Sequence, residues 1–180
     1  KAGADKVAIN TYAVKNPDFI QLAAKKFGSQ CIVASINAKK IDSQKWVIWT
    51  DNAREPTDKD MFEWALELQS LNVGEILITS IDNDGTLKGL DLDIVQKVAP
   101  FLKVPLIIGG GYSSSDDLEF LSNYDINGIV LGSTLHYNKN KISNIKEDLL
   151  KIGFDTRIEI PIILNKFNDN YNKNVSIIDY

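Results

Sequence analysis

The sequence predicts an α/β protein built on a parallel sheet, and two observations carry that expectation. Short apolar, β-branched runs recur along the chain, and each is followed by a stretch with apolar residues at helical spacing. The runs end in small or polar residues, as strands do when ligand-binding loops follow their carboxyl ends. Five such units alternate, which calls for right-handed crossovers. By themselves they fit either a doubly wound sheet or most of an eight-unit barrel.

The first strand is read over Lys6 to Asn10, and Asn10-Thr11 forms its polar end. Asn16-Pro17-Asp18 then opens a helix, with Asn16 as cap and Pro17 in the first turn. Phe19, Leu22, Ala23 and Phe27 are expected on its apolar stripe, and Gly28 ends it. The second strand covers Cys31 to Ile36 and leads to Asn37-Ala38-Lys39. Trp46 to Trp49 reads as one arm of an inserted hairpin, and Asp51 to Thr57 as a polar loop. Thr57 or Asp58 is the expected cap of a helix whose stripe is Met61, Trp64, Ala65 and Leu68.

The central stretch runs from Gly74 to Thr86. Ile76 to Ser80 reads as a strand covered on both faces, opening into an acidic loop with Asp82, Asp84 and Gly85. Asp91 or Asp93 starts the next helix, with Leu92, Val95 and Val98 on one face. Pro105 to Ile108 is a buried strand before Gly109-Gly110-Gly111, and Ser113 to Ser115 caps a helix containing Leu118, Phe120 and Leu121. Gly128 to Leu131 is the last core strand, followed by Gly132-Ser133-Thr134, and a final helix runs from about Ile142 to Ile152.

Composition narrows the classes. The chain has 180 residues, 44% of them hydrophobic and 24% charged, which suits a globular domain with a sizeable core. A net charge of −4 gives no reason to expect a nucleic-acid partner, and no apolar run is long enough to cross a bilayer. The single cysteine, Cys31, excludes an internal disulfide framework and fits a reducing, cytoplasmic setting; it sits in an apolar run, as a buried inert thiol does. No Cys or His cluster has metal-ligand spacing, and neither cofactor nor metal is expected. The opening Lys1-Ala2-Gly3-Ala4-Asp5 reads as the interior of a longer protein. After Arg157 the chain is rich in Asn, Lys and Asp. Residues 1–157 are therefore expected to form the α/β domain and 158–174 a linker, before a fresh apolar strand over 175–180.

Three strand ends carry small or glycine-rich loops, at Asp84-Gly85-Thr86, Gly109-Gly110-Gly111 and Gly132-Ser133. Such loops leave backbone N–H groups free for an anion, so a phosphate is the expected ligand, although glycines also serve simply as tight turns. Asn10 and Thr11 are candidates to hold a second polar group. Asp82 is the candidate acid or base, being nearer the strand, while Asp84 can equally be a loop cap. His136 is a weaker candidate, more readily structural than catalytic.

Gly3 to Asn10, Phe27 to Gln30, Gly74 to Thr86 and the last two glycine loops together resemble the cyclase subunit of imidazole glycerol phosphate synthase. The resemblance spans about Lys1 to Arg157. It implies a (βα)8 TIM barrel of which this chain holds units four to eight. It further implies that a partner glutaminase supplies ammonia through the barrel to a phosphoribulosyl-formimino-aminoimidazole carboxamide ribonucleotide. The products would be imidazole glycerol phosphate, for histidine synthesis, and an aminoimidazole carboxamide ribotide.

By position, the resemblance implies that Asn10 and Thr11 belong to one phosphate site and that Asp84, Gly85, Gly111, Gly132 and Ser133 belong to the other. Lys6 and Glu75 fall on the ammonia entrance and Asp5 near the glutaminase contact. One departure is plain: the family's fifth-strand catalytic Asp is Asn37 here, and an amide does not carry a proton as a carboxylate does. That departure also admits a paralogue delivering ammonia to another acceptor, such as a surface-polysaccharide sugar, or a non-catalytic scaffold. Asp51-Asn52-Ala53-Arg54 departs from the small, glycine-bearing loop of the family. Val175 to Tyr180 is similar to the opening strand of the glutaminase, which implies a fused parent. With three units absent the barrel cannot close, so the chain alone is expected to be inactive.

Overall fold

The computed structural model describes residues 3–156. The expected linker and the strand over 175–180 lie outside the described residues. The elements in chain order are β1 (Val7–Ile9), α1 (Thr11–Lys15), α2 (Asp18–Phe27), a 3-10 turn at Ser29–Cys31, β2 (Ile32–Asp42), β3 (Lys45–Thr50), β4 (Glu55–Asp60) and α3 (Met61–Ser70). There follow β5 (Glu75–Ser80), α4 (Leu92–Val98), β6 (Leu106–Gly109), α5 (Ser115–Leu121), β7 (Gly128–Val130), α6 (Ser133–His136) and α7 (Ile142–Lys151).

Strands β1, β2, β5, β6 and β7 pair in parallel and in chain order. A doubly wound sheet reverses its strand order at a switch point. No reversal occurs here, so the architecture is that of a partial TIM barrel. Along these strands the helix-facing residues are sealed: Ala34, Ile36, Ile76, Ile78, Leu106 and Ile108 are all at most 2% exposed. They pack against Trp64, Ala65, Leu68, Val95 and Leu118 in one continuous core.

The opposite face is open enough to show. Exposure alternates strictly along β5, so Glu75, Leu77 and Thr79 are half-buried while Ile76, Ile78 and Ser80 are buried. Of the strand expected to be covered on both faces, the arc described here seals the helix side and leaves the inner side half-buried. Helices cover one face, and the other is the inner wall of the barrel arc.

The inserted hairpin is real and larger than the sequence suggests. Beyond Ile36 the strand β2 continues to Asp42, and β3 pairs antiparallel with this extension from Asn37↔Trp49 to Asp42↔Lys45. The expected polar loop over 51–57 is shorter, because β4 begins at Glu55 and pairs with β3. Its sequence, Glu55-Pro56-Thr57-Asp58-Lys59-Asp60, carries no strand signal; Pro56 is tolerated because β4 is an edge strand. Asp60, rather than Thr57 or Asp58, caps α3, accepting from the N–H groups of Phe62 and Glu63. The apolar stripe of α3 is as expected, with Met61, Trp64, Ala65 and Leu68 all buried.

The start of the chain needs two further corrections. Asn16 makes no side-chain cap bond; α2 begins after Pro17, whose φ of −56° already suits a helix. A separate short helix, α1, precedes it. The buried face of α2 is Ile20, Ala23 and Ala24, while Phe19, Leu22 and Phe27 are 38%, 64% and 61% exposed. The largest apolar side chains are not the buried ones here, since two alanines and one isoleucine let the helix lie close to the sheet.

Candidate active-site rim

The register of the parallel strands places the candidate side chains in layers on the inner wall. Asn37 pairs with Thr79, Thr79 with Gly109, and Gly109 with Val130. Asn37 therefore sits half-buried at the level where the strands open into loops. Past that level, the three loops named from the sequence converge. Asp84, Gly110, Gly111, Gly132 and Ser133 line one cleft of about 250 Å³, together with Thr79. Gly85 adjoins it, because a Cβ placed there would lie 3.9 Å from Ser133 Oγ.

Two glycines make the close approach possible. Gly110 and Gly111 have φ of 93° and 94°, which glycine adopts without strain. A Cβ on Gly110 would lie 2.6 Å from Ser80 O, and one on Gly111 would lie 2.4 Å from Gly89 O. The loops are thus in backbone contact, and the Gly89 N–H donates to Gly111 O at 2.8 Å. Among the described residues, the N–H groups of Gly85, Gly111 and Ser133 donate to no backbone carbonyl outside helix and strand. Such amides form an anion-accepting surface.

Sequence reading passed over the residue that ties this cleft together. Asp117, 6% exposed, accepts from Leu90 N–H at 3.2 Å with one oxygen. With the other it accepts from Ser113 N–H at 2.9 Å and Ser113 Oγ at 3.2 Å. It also closes a capping box with Ser114. One carboxylate thereby joins the loop after β5 to the loop after β6. The signal was present as Ser114 followed three residues later by Asp117. Two further wall residues were missed: Tyr112 OH and Thr134 Oγ1 are buried without a hydrogen-bond partner among the described residues, and both residues line the cleft. Burial raises the Tyr112 phenol above its ordinary range, and the charges of Asp117 and Asp148 add to that.

The two carboxylates after β5 differ. Asp84 lines the cleft and accepts no hydrogen bond from the described residues. Asp82 is clamped: its Oδ1 accepts from Lys39 Nζ at 2.7 Å and its Oδ2 from Lys40 N–H at 2.8 Å. Burial works to raise its pKa, but the Lys39 hydrogen bond and the Lys40 N–H outweigh it and hold the carboxyl below the usual aspartate range. Asp82 fastens the extension of β2 to the loop after β5. Its geometry suits a fixed anion better than a carrier of protons. His136 ends α6 with its ring against Tyr137, at 5.0 Å between centroids, and is not among the residues that line the cleft.

Asn10 and Thr11 stand at the other end of the rim, where β1 passes into α1. Asn10 occupies the cap position of α1 without a side-chain cap bond, and its carbonyl accepts from Ala13 N–H. Thr11 Oγ1 accepts from Asp51 N–H at 2.8 Å. At the opposite, amino-terminal ends of the strands, Lys6 Nζ donates to Glu75 Oε1 across β2, and Asp5 lies exposed beside them. From Glu75 to Ser80, five steps of about 3.3 Å separate this ion pair from the rim by roughly 16 Å.

Comparison with known proteins now bears on this arrangement. The family described as "Histidine biosynthesis protein" matches residues 1–141. The chain belongs to this family. Over 160 residues it is also 39% identical to the imidazole glycerol phosphate synthase subunit HisF of Dehalococcoides mccartyi. That match covers 88% of this chain and 63% of the relative, so the chain spans under two thirds of the length of the curated protein it matches. The family match accords with the resemblance read from the strand-end motifs and with the partial barrel seen here. No helix among the described residues is long and apolar enough to cross a membrane.

Proposed function

We propose that this chain is the carboxyl-side part of an ammonia-using, cyclase-type subunit of histidine synthesis. It would act on a phosphoribulosyl-formimino-aminoimidazole carboxamide ribonucleotide to give imidazole glycerol phosphate and an aminoimidazole carboxamide ribotide. The observation that carries the reading is the convergence of Asp84, Gly110, Gly111, Gly132 and Ser133 in one cleft at the carboxyl ends of the strands. In this reading the loop amides hold one phosphate there and Asn10 with Thr11 holds another, so that the ligand lies across the Asn37 layer. Anchoring both ends of a long ligand supplies much of a rate by positioning.

Ammonia enters at the Lys6–Glu75 end, from a glutaminase subunit or fused glutaminase domain docking near Asp5, and reaches the ligand through the inner wall. The Lys6 side chain of this pair is exposed and that of Glu75 mostly covered, so the pair lies at the surface of the amino-terminal face. In this reading Asn37 orients the ligand by hydrogen bonds. The test is complementation: the full-length protein should restore histidine-independent growth to a strain lacking its cyclase subunit. Failure with a well-expressed, folded protein would sink the assignment.

A second reading is favoured by one observation. Asn37 stands where the resemblance expects a catalytic carboxylate, and the nearby Asp82 is held as an anion by Lys39. The same ammonia delivery then serves a different phosphorylated acceptor. Supplying the intact protein and its glutaminase with labelled glutamine, and finding the label in a product other than an imidazole, would decide for this alternative.

A further inference from the structure

The inserted hairpin brings to the rim one aromatic residue that the site described above does not use. At Val33 and Ala34 the strand β2 is flanked by β1 and β5, and at Asn37 and Ala38 by β3 and β5. Strand β3 therefore takes over the edge of β2 that β1 leaves, just beyond Asn10 and Thr11. In this register Trp49 lies opposite Asn37, and Asn37 opposite Thr79. Exposure alternates along β3: Trp46 and Ile48 enter the core, while Val47 and Trp49 are half-buried on the inner face. Side chains directly opposite on one face of such a pair come within about 5 Å at Cβ, so the Asn37 amide and the Trp49 indole flank one spot. Of the three tryptophans, Trp46 and Trp64 are 0% and 2% exposed, which leaves Trp49 as the indole open to the rim. Its Nε1 is buried without a partner among the described residues, so whatever part of the ring is exposed is carbon.

We propose that Trp49 is a specificity-determining residue of this rim: its indole is a platform on which a planar ring of the phosphorylated ligand stacks, with the Asn37 amide at the ring's edge. The inference rests on the reading that Asn10 and Thr11 hold a phosphate, and it names what lies between that phosphate and Asn37. An indole offers a large flat face that takes a second ring in an offset stack. Such a stack needs no charge, so it suits a neutral heteroaromatic ring. The Asn37 side chain carries N–H donors and a carbonyl acceptor in one plane. A primary carboxamide conjugated to a ring carries the complementary pair, also in one plane. The two residues then divide the work: the indole fixes the plane of the ring, and the amide fixes its rotation within that plane. A saturated sugar presents neither a flat face nor a conjugated amide. The pair therefore favours a carboxamide-bearing ring over a phosphosugar of equal charge.

The experiment compares aminoimidazole carboxamide ribotide with ribose 5-phosphate by calorimetry on the full-length protein. The two share a pentose and a phosphate and differ in the ring. Wild type should bind the ribotide about tenfold more tightly, as one stacked ring is worth. Trp49→Leu keeps apolar bulk but loses the flat face, and the ratio should fall to about one while ribose 5-phosphate binding is unchanged. Trp49→Phe keeps a face and removes the orphaned N–H, so it should fold at least as well and hold the ratio within about threefold of wild type. A ratio unaltered by Trp49→Leu, or already near one in wild type, overturns the proposal alone. A loss shared equally by both probes makes Trp49 a structural residue and overturns it too. Binding of neither probe by wild type overturns it together with the reading of the rim. Fluorescence adds a second readout: the ribotide should quench tryptophan emission in wild type and leave that of Trp49→Phe unchanged. An equal quench in both proteins overturns the proposal.

Discussion

The ammonium of Lys39 lies 2.7 Å from a carboxylate oxygen of Asp82, and the other oxygen accepts from the next residue's N–H. Both carboxylate oxygens are therefore committed to the β2 extension. Replacing Asp82 with Asn should lower turnover by less than tenfold, whereas removal of a working acid or base costs on the order of a hundredfold or more. A hundredfold loss of turnover at unchanged stability would return Asp82 to the role of proton carrier.

The same pair sets a pH dependence. Because Asp82 is held below its ordinary range in the folded protein, its carboxylate contributes stability that is fully present above the unfolded value of about 4. That contribution fades as pH falls through the folded value. Asp82→Asn should thus cost about 1 kcal/mol at pH 7, read from denaturant midpoints, and the gap from wild type should close below about pH 4.

Asn37 offers the sharpest chemical prediction. Its side chain shares a layer with Thr79 and Gly109 on the inner wall. Asn37→Asp restores a carboxylate at that level, and ammonia-dependent turnover of the formimino substrate should rise at least about tenfold. A flat response, measured as imidazole product by steady-state assay, would favour the other acceptor.

Gly111→Ala tests the cleft by steric means. Its added Cβ meets Gly89 O at 2.4 Å in a left-handed backbone, so the loop after β6 must shift. The expected cost is about 1–3 kcal/mol in stability, with loss of inorganic phosphate binding by calorimetry. Wild-type phosphate affinity in this variant would remove the cleft from the site.

Asp117 is expected to behave as the brace of the same cleft. Asp117→Ala leaves the N–H groups of Leu90 and Ser113 without their acceptor in a buried place. A loss of roughly 2–3 kcal/mol follows, seen as a fall of about 4–12 °C in melting temperature. An unchanged melting temperature would show that water replaces the carboxylate there.

The sequence by itself determined the alternation of strand and helix, the stripe of α3 and the glycine loops at three strand ends. Each of these rests on local chemistry: apolar period, capping residues, and glycine where backbone must pass backbone. The family match over residues 1–141 also rests on sequence alone. Tertiary structure decided the rest. The chain order of the parallel strands chose the barrel arc over a doubly wound sheet, which pattern cannot do because both use the same βα unit. Strand β4 arises from pairing with β3 and not from its own polar residues. The fate of each Asp was likewise settled by neighbours far along the chain: Asp82 by Lys39, Asp117 by Leu90, and Asp51 by Thr11. A residue's letter sets what it can bond, but only the fold brings a partner within reach.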